Sequence, residues 1–365
     1  MVKDKVKKAV FRVVRVVGRI IYRKHIWLVS DREFHAGDNG EAFFIFLQEK
    51  PVNSVFAISK NSEDYVRMSR IGNVVDYGSL YYKFLLCVSD AHISSQLLHM
   101  ENHEETYQIF LQHGVIGTDI SQMLNPVSHN KFYMITSAKA EMESCCGEQY
   151  TIIPDHLWLT GLPRHDRLQN RTNKKITISL TWRKYLVGVN AERFAESNYY
   201  KAYKKILDND KLVSRLKEYG YTLCLKLHPE MEHFKNTFSV AEGIEFWDAP
   251  YKDIFAESEL LITDYSSIAF DFAQLRKPVI YFQFDADEFW LGEHNYSKGY
   301  FDYVEDGFGE VVKTYDELEQ KMFSYVEAGC KLKDKYLNRI TEFFAYNDKN
   351  NSERVYQKIQ ELLKQ

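Results

Sequence analysis

From residue 26 to residue 285, short β-rich apolar runs alternate with helical stretches, and this alternation limits the fold more than any other feature. Strands separated by helices do not pair as hairpins; they line up in parallel sheets covered by helices on both faces. The spacing predicts strands over 26–30, 54–59, 74–77, 91–95, 107–112, 132–136 and 157–160, with helices between several of them, such as 40–49 and 80–88. A polar stretch over 163–175, PRHDRLQNRTNKK, interrupts the pattern. It restarts with strands at 176–182, 221–227, 244–246, 260–263 and 279–282 and helices at 199–219, 251–256, 267–275 and 315–328; from 331 to 364 the chain reads as mostly helical. A chain of 365 residues is too long for one ordinary core and suits two domains. The expected architecture is therefore α/β: two Rossmann-like domains facing a cleft, over 26–165 and 166–340, with separate segments at 1–25 and 341–365.

The first segment is unlike the rest. Residues 1–24 carry nine Lys or Arg against one Asp, whereas the remainder carries 38 against 50. Val6, Val10, Val13, Val14, Val17, Ile20 and Ile21 recur at helical spacing, and Lys5, Lys8, Arg12, Arg15, Arg19 and Arg23 recur on another face. Charges run through the whole stretch, which excludes a transmembrane span and a secretory signal. A basic amphipathic helix on an anionic membrane surface is the expected role, with an ordinary docked helix bearing a solvated basic face as the alternative. An acidic body with one basic tip excludes general nucleic-acid binding. Five cysteines, with no Cys-x-x-Cys pair, argue against a disulfide framework or a cysteine zinc site.

In open parallel sheets ligands sit beyond the carboxyl ends of strands, so motifs there carry the chemical reading. Asp38-Asn39-Gly40 opens a helix; it is either a plain cap or a phosphate or polyol contact. Gln112-His113-Gly114 ends the strand YQIFLQ, delivering an imidazole that is either suited to base chemistry near neutrality or a capping or hydrogen-bonded loop residue. Lys226-Leu227-His228-Pro229 ends another strand in a His, which either binds a phosphate oxygen or is a satisfied loop residue. Asp264-Tyr265-Ser266-Ser267 leads from a strand into a helix bearing Asp271, where hydroxyls and backbone N–H groups make an anion site or an unliganded cap. Asp285 and Asp287 follow the last strong strand and read as a solvated loop. Walker, GxGxxG, HExxH and GxSxG patterns are missing.

Taken in order, DNGEAFFIFL, LQHG, GLPRHDRL, LKLHP and ITDYSSIAFDFAQLRKPVIYF resemble the CDP-glycerol glycerophosphotransferase family of teichoic-acid synthesis, across nearly all of residues 26–285. The resemblance implies a GT-B-like fold, acceptor chemistry in the first domain and the CDP donor in the second. It implies that His113 is the base and that His228 acts near the donor phosphates, with Ser266 and Ser267 in the pyrophosphate turn. Asp264, Asp271 and Arg183 join the donor set, and Asp38, Asn39, Gly40 and Gly114 the acceptor or phosphate set. Arg183 lies in SLTWRKYL, where the family pattern leads one to expect a Pro-Thr-type turn.

The expected reaction moves glycerol or ribitol phosphate from a CDP-polyol to a lipid-linked saccharide or polyol-phosphate polymer, releasing CMP. It needs no metal or other cofactor and takes place at the cytoplasmic membrane face, in a chain that can self-associate. The lack of a long N-terminal extension suggests a primase or short-chain transferase. The alternatives are a nucleotide-sugar glycosyltransferase of the same architecture and a non-catalytic membrane adaptor.

Overall fold

The computed structural model describes residues 2–21, 25–98, 106–291 and 297–364, and in the first helix the side chains from residue 12 onward. Contacts divide the chain into two compact units, one formed by Met1–Val115, Ile120–Arg167 and Phe344–Gln365, the other by Ile116–Asp119 and Leu168–Phe343.

The first unit is built on seven strands: β1 (Ile26–Ser30), β2 (Asn53–Ile58), β3 (Val74–Asp76), β4 (Ala91–Ser94), β5 (Tyr107–Phe110), β6 (Phe132–Thr136) and β7 (Leu157–Leu159). All pair in parallel in the order β3-β2-β1-β4-β5-β6-β7. The second unit has β8 (Lys175–Ile178), β9 (Thr222–Leu225), β10 (Ile244–Phe246), β11 (Ser258–Thr263), β12 (Val279–Phe282) and β13 (Gly309–Val312), also parallel, in the order β10-β9-β8-β11-β12-β13. Each order reverses after its first strand, which is the doubly wound dinucleotide-type topology with a switch point between β1 and β4, and again between β8 and β11. Central strands such as IWLVS in β1 and VIYF in β12 are buried at every position, as sheets covered on both faces require.

Several boundaries differ from the sequence expectation. The strands expected over 107–112, 176–182 and 221–227 end at Phe110, Ile178 and Leu225, so the residues with chemistry lie just past the ladder. The helix expected over 199–219 is two, Asn198–Leu207 and Asp210–Glu218, because the Asn209 side chain accepts from the Leu212 N–H and starts a new helix. Strand β13, sequence GEVV, is too short and polar to stand out in a pattern. The C-terminal helix Asn351–Lys364 belongs to the first unit. Asp166 accepts from the N–H groups of Asn351 and Ser352 at its start (3.0 and 2.7 Å). Gly161, at φ +77°, leaves the space that the Asn351 side chain enters.

Helix α1 (Val2–Ile21) lies along the helix Leu80–Val88, and Gly18 permits the approach: a Cβ there would sit 2.2 Å from Val88 Cγ1. Arg15 donates to Cys87 O and Thr106 Oγ1 (3.1 and 2.6 Å), and Arg19 pairs with the nearly buried Asp90. These two arginines bond to the protein, while about half of the Arg19 side chain stays exposed (47%). The side that stays open is apolar: Val13, Val16, Val17, Ile20 and Ile21 are all exposed, at spacings of one helical face. Arg23 lies outside the described residues. Among the described residues no helix is long and apolar enough to cross a membrane.

Candidate active site

In the first unit the chain leaves β5 through Gln112, whose φ of +57° is left-handed and costs a non-glycine residue about 1 kcal/mol. The turn is held from both sides. The Gln112 side-chain amide donates to Ile135 O, and the Gln112 main-chain carbonyl accepts from Asn39 Nδ2 at 2.9 Å. The next residue, His113, emerges at the sheet edge with half its side chain exposed. Its Nδ1 lies 3.4 Å from Asp38 Oδ2. Arg164, in the turn Pro163–Arg167, donates from one Nη to Asp38 Oδ1 (2.6 Å) and to the His113 carbonyl (2.7 Å).

Helix α2 (Asn39–Leu47) follows Asp38, and its N-terminus is already filled. Asp31, just past β1, accepts from the N–H groups of Asp38, Gly40 and Glu41, and Asp38 accepts from that of Asn39. Burial, then the Asp38 charge, push Asp31 up to about 7, against the pull of these amides and the Ser95 hydroxyl. Asn39 is fully buried, and a Cβ on Gly40 would meet Ser30 O at 2.4 Å. The polar groups of Asn39 and the Gly40 N–H are thus engaged within the protein, in the arrangement of a helix cap. Gly114, directly after His113, is buried.

In the second unit the ends of β9, β8 and β11 lie side by side. His228 follows β9, and its Nδ1 accepts from the Glu230 N–H (3.2 Å), so in the neutral ring Nε2 carries the proton. Its ring centroid is 6.2 Å from that of Trp182, past the end of β8. After β11, Asp264 and Tyr265 turn inward while Ser266 and Ser267 remain half-exposed. Tyr265 stacks on Phe289 at 3.7 Å.

Arg183 and Asp264 behave differently from expectation. Arg183 is fully buried and donates to Asp264 Oδ2 (2.8 Å), to both Asp285 oxygens (2.7 and 3.0 Å) and to Thr181 O (2.6 Å). Rings of Tyr199, Tyr265, Phe284 and Phe289 enclose it. Burial alone would lower its pKa; the Asp264 and Asp285 carboxylates reverse this and raise it. Asp264 also takes the Thr181 N–H and hydroxyl and the Tyr265 N–H. The Arg183 guanidinium is thus enclosed away from any phosphate and braces the turn. Asp271 is likewise buried, inside the helix Ile268–Gln274. Asp285, read as a loop acid, is the second brace, hidden because its partner lies 102 residues away. Lys277 donates to the carbonyls of Phe255, Ala256 and Ser258 (2.7–2.9 Å), and burial pushes its pKa down to about 8. The Lys-Pro of the motif therefore closes a helix end.

Sequence reasoning missed Arg164, Asp31 and Trp182 as parts of these sites. Arg164 carried a signal, since it stands in the quoted motif GLPRHDRL directly after a proline.

Two parallel α/β units of dinucleotide-type topology, one presenting a strand-end His beside a carboxylate, the other a His and a Ser pair, place the chain in the GT-B-like fold class. The solved structure of the wall teichoic acid polymerase TagF has this fold, with a TM-score of 0.71, 16% identity and 98% of both chains covered. The model of the CDP-glycerol:poly(glycerophosphate) glycerophosphotransferase family matches residues 10–361, and the chain belongs to that family. It is 34% identical to the minor teichoic acid biosynthesis protein GgaB of Bacillus subtilis, over 99% of this chain but only 42% of that protein's length. It is 22% identical to a teichoic acid glycerol-phosphate transferase of Staphylococcus aureus, over 98% of this chain and 100% of that protein.

Proposed function

We propose that the chain transfers glycerol phosphate or ribitol phosphate from a CDP-polyol to a lipid-linked or polymeric acceptor in surface-polymer synthesis. The observation that carries this reading is the half-exposed His113 imidazole, held against a carboxylate at a strand end in a member of this family. His113 Nε2 takes the proton from the acceptor hydroxyl as its oxygen attacks the β-phosphorus, and CMP leaves with the bond electrons. His228 donates from Nε2 to a donor phosphate oxygen, and the Ser266 and Ser267 hydroxyls donate to others, countering the charge that builds there. Trp182, beside His228, forms the apolar wall of that site.

The acceptor is membrane-bound, and α1 brings the enzyme to it. The apolar ridge from Val13 to Ile21 enters the headgroup boundary of an anionic bilayer, and the excess of positive charge in residues 1–24 favours such a surface.

The test is CMP release from CDP-glycerol and, in parallel, CDP-ribitol, with a membrane lipid extract as acceptor source, for the natural protein, His113→Ala and His228→Ala. CMP from one donor, lost in both variants, supports the reading and identifies the polyol. A folded protein that releases no CMP from either donor but a nucleoside diphosphate from a nucleotide sugar is a glycosyltransferase instead.

A further inference from the structure

Three separated segments converge on His113. Asp38 reaches its Nδ1 (3.4 Å), and Arg164 holds the other oxygen of Asp38 (2.6 Å) and the His113 carbonyl (2.7 Å). The Arg164 main-chain N–H donates to Asn39 Oδ1 (3.0 Å), while Asn39 Nδ2 donates to Gln112 O (2.9 Å). A closed circuit of hydrogen bonds thus runs through the turn Pro163–Arg167, the start of α2 and the left-handed turn that presents the imidazole. A circuit of this kind is more than a cap needs, because Asp31 already serves the α2 amides.

From this geometry we infer that Asp38 and Arg164 form a clamp that sets the orientation and the proton affinity of His113, each acting as a positioning residue. The inference rests on the reading of His113 as the base. Asp38 beside Nδ1 keeps the proton on that nitrogen and turns the Nε2 lone pair outward, the arrangement a general base requires. A carboxylate alone would also raise the proton affinity of the imidazole and leave more of it protonated, and inactive as a base, near neutrality. The Arg164 guanidinium on the far oxygen offsets that field. Side-chain exposure of 20% for Arg164 and 19% for Asp38 keeps solvent from erasing either effect. Among the described contacts, Asp38 from the start of α2 reaches the ring, Arg164 from the turn after β7 reaches Asp38 and the His113 carbonyl, and Asp31 from the end of β1 lies behind Asp38.

Opposite responses to the two substitutions test the clamp. The readouts are the pH profile of kcat/KM for CMP release and NMR titration of the His113 ring in histidine-labelled protein, its signal assigned with His113→Ala. Asp38→Asn is expected to move the acidic limb and the ring titration to lower pH, and to cut kcat about tenfold or more with donor KM unchanged. Arg164→Gln is expected to move both to higher pH by roughly one unit. Arg164→Lys restores a cation but cannot bridge Asp38 and the His113 carbonyl, so the limb returns while kcat stays low; should Arg164→Gln not fold, Arg164→Met removes the cation instead and carries the same expected shift to higher pH. Shifts in the same direction, or no shift, overturn the clamp while leaving the base reading intact when His113→Ala is inactive. Full turnover by His113→Ala overturns the base reading itself, whatever the clamp variants do.

Discussion

Each unit carries a charged cluster at the carboxyl edge of its sheet, a carboxylate with a guanidinium and an imidazole in one and a guanidinium with two carboxylates in the other, and the two clusters have opposite surroundings. Around His113 the side chains are 51%, 20% and 19% exposed for His113, Arg164 and Asp38. Around Arg183 they are 1%, 0% and 7% exposed for Arg183, Asp264 and Asp285. The first cluster keeps an imidazole edge toward solvent and can exchange protons. The second has every strong donor of Arg183 taken and aromatic rings on its sides, so it can only hold the chain. Position at a strand end thus marks where chemistry can occur; exposure decides whether a residue performs it or supports it.

The sharpest way to break this comparison is Arg183→Met. It leaves two buried carboxylates without their cation, and removing one partner of such a pair costs about 3–5 kcal/mol. A large drop in thermal midpoint is expected, with His113 chemistry lost only as the fold is lost. A folded, stable variant with selectively impaired donor binding would return Arg183 to the donor site. His113→Ala is the converse: CMP release should fall on the order of a hundredfold or more while the melting temperature barely moves. A large loss of stability instead would make His113 structural.

Asp31 sharpens the contrast inside the first unit, as a sealed carboxylate next to the open one. When folded it holds its proton up to about pH 7, but in the unfolded chain it releases it near its ordinary value of 3.8. Folding therefore takes up a proton between these values, and this contribution to stability, full below 3.8, is lost as pH rises through 7. Across pH 5 to 7 the slope is roughly 1 kcal/mol per pH unit, and Asp31→Asn should flatten it in urea denaturation. Identical slopes in the two proteins would mean that Asp31 is ionised when folded. The smallest effect concerns α1, where Gly18 faces the protein and the Val–Ile ridge does not. Val17→Asp with Ile20→Asp should weaken sedimentation with anionic vesicles at least about tenfold without altering the fold. Unchanged vesicle binding would assign the ridge to another partner.

Both parallel sheets were legible because strand and helix periods alternate over hundreds of residues, each run long enough to show its own pattern. His113, His228 and the Ser266–Ser267 turn stood out as candidates for a related reason: each follows within a few residues of an apolar strand. Arg164 was not, since its partners Asp38 and His113 lie 126 and 51 residues away. Asp285 was misread as a loop acid for the same cause. The placement of Asn351–Lys364 depended on Asp166 reaching its first amides, which no local pattern records.

By itself the sequence determined the α/β class, the two-part organisation, the family and the residue types at the strand ends, all set by short-range periodicity and local order. Only the tertiary structure decided which charges stay in water and which are sealed. Burial and ion pairing join segments far apart in the chain, and the free energy of a charge depends on that surrounding rather than on its neighbours in sequence.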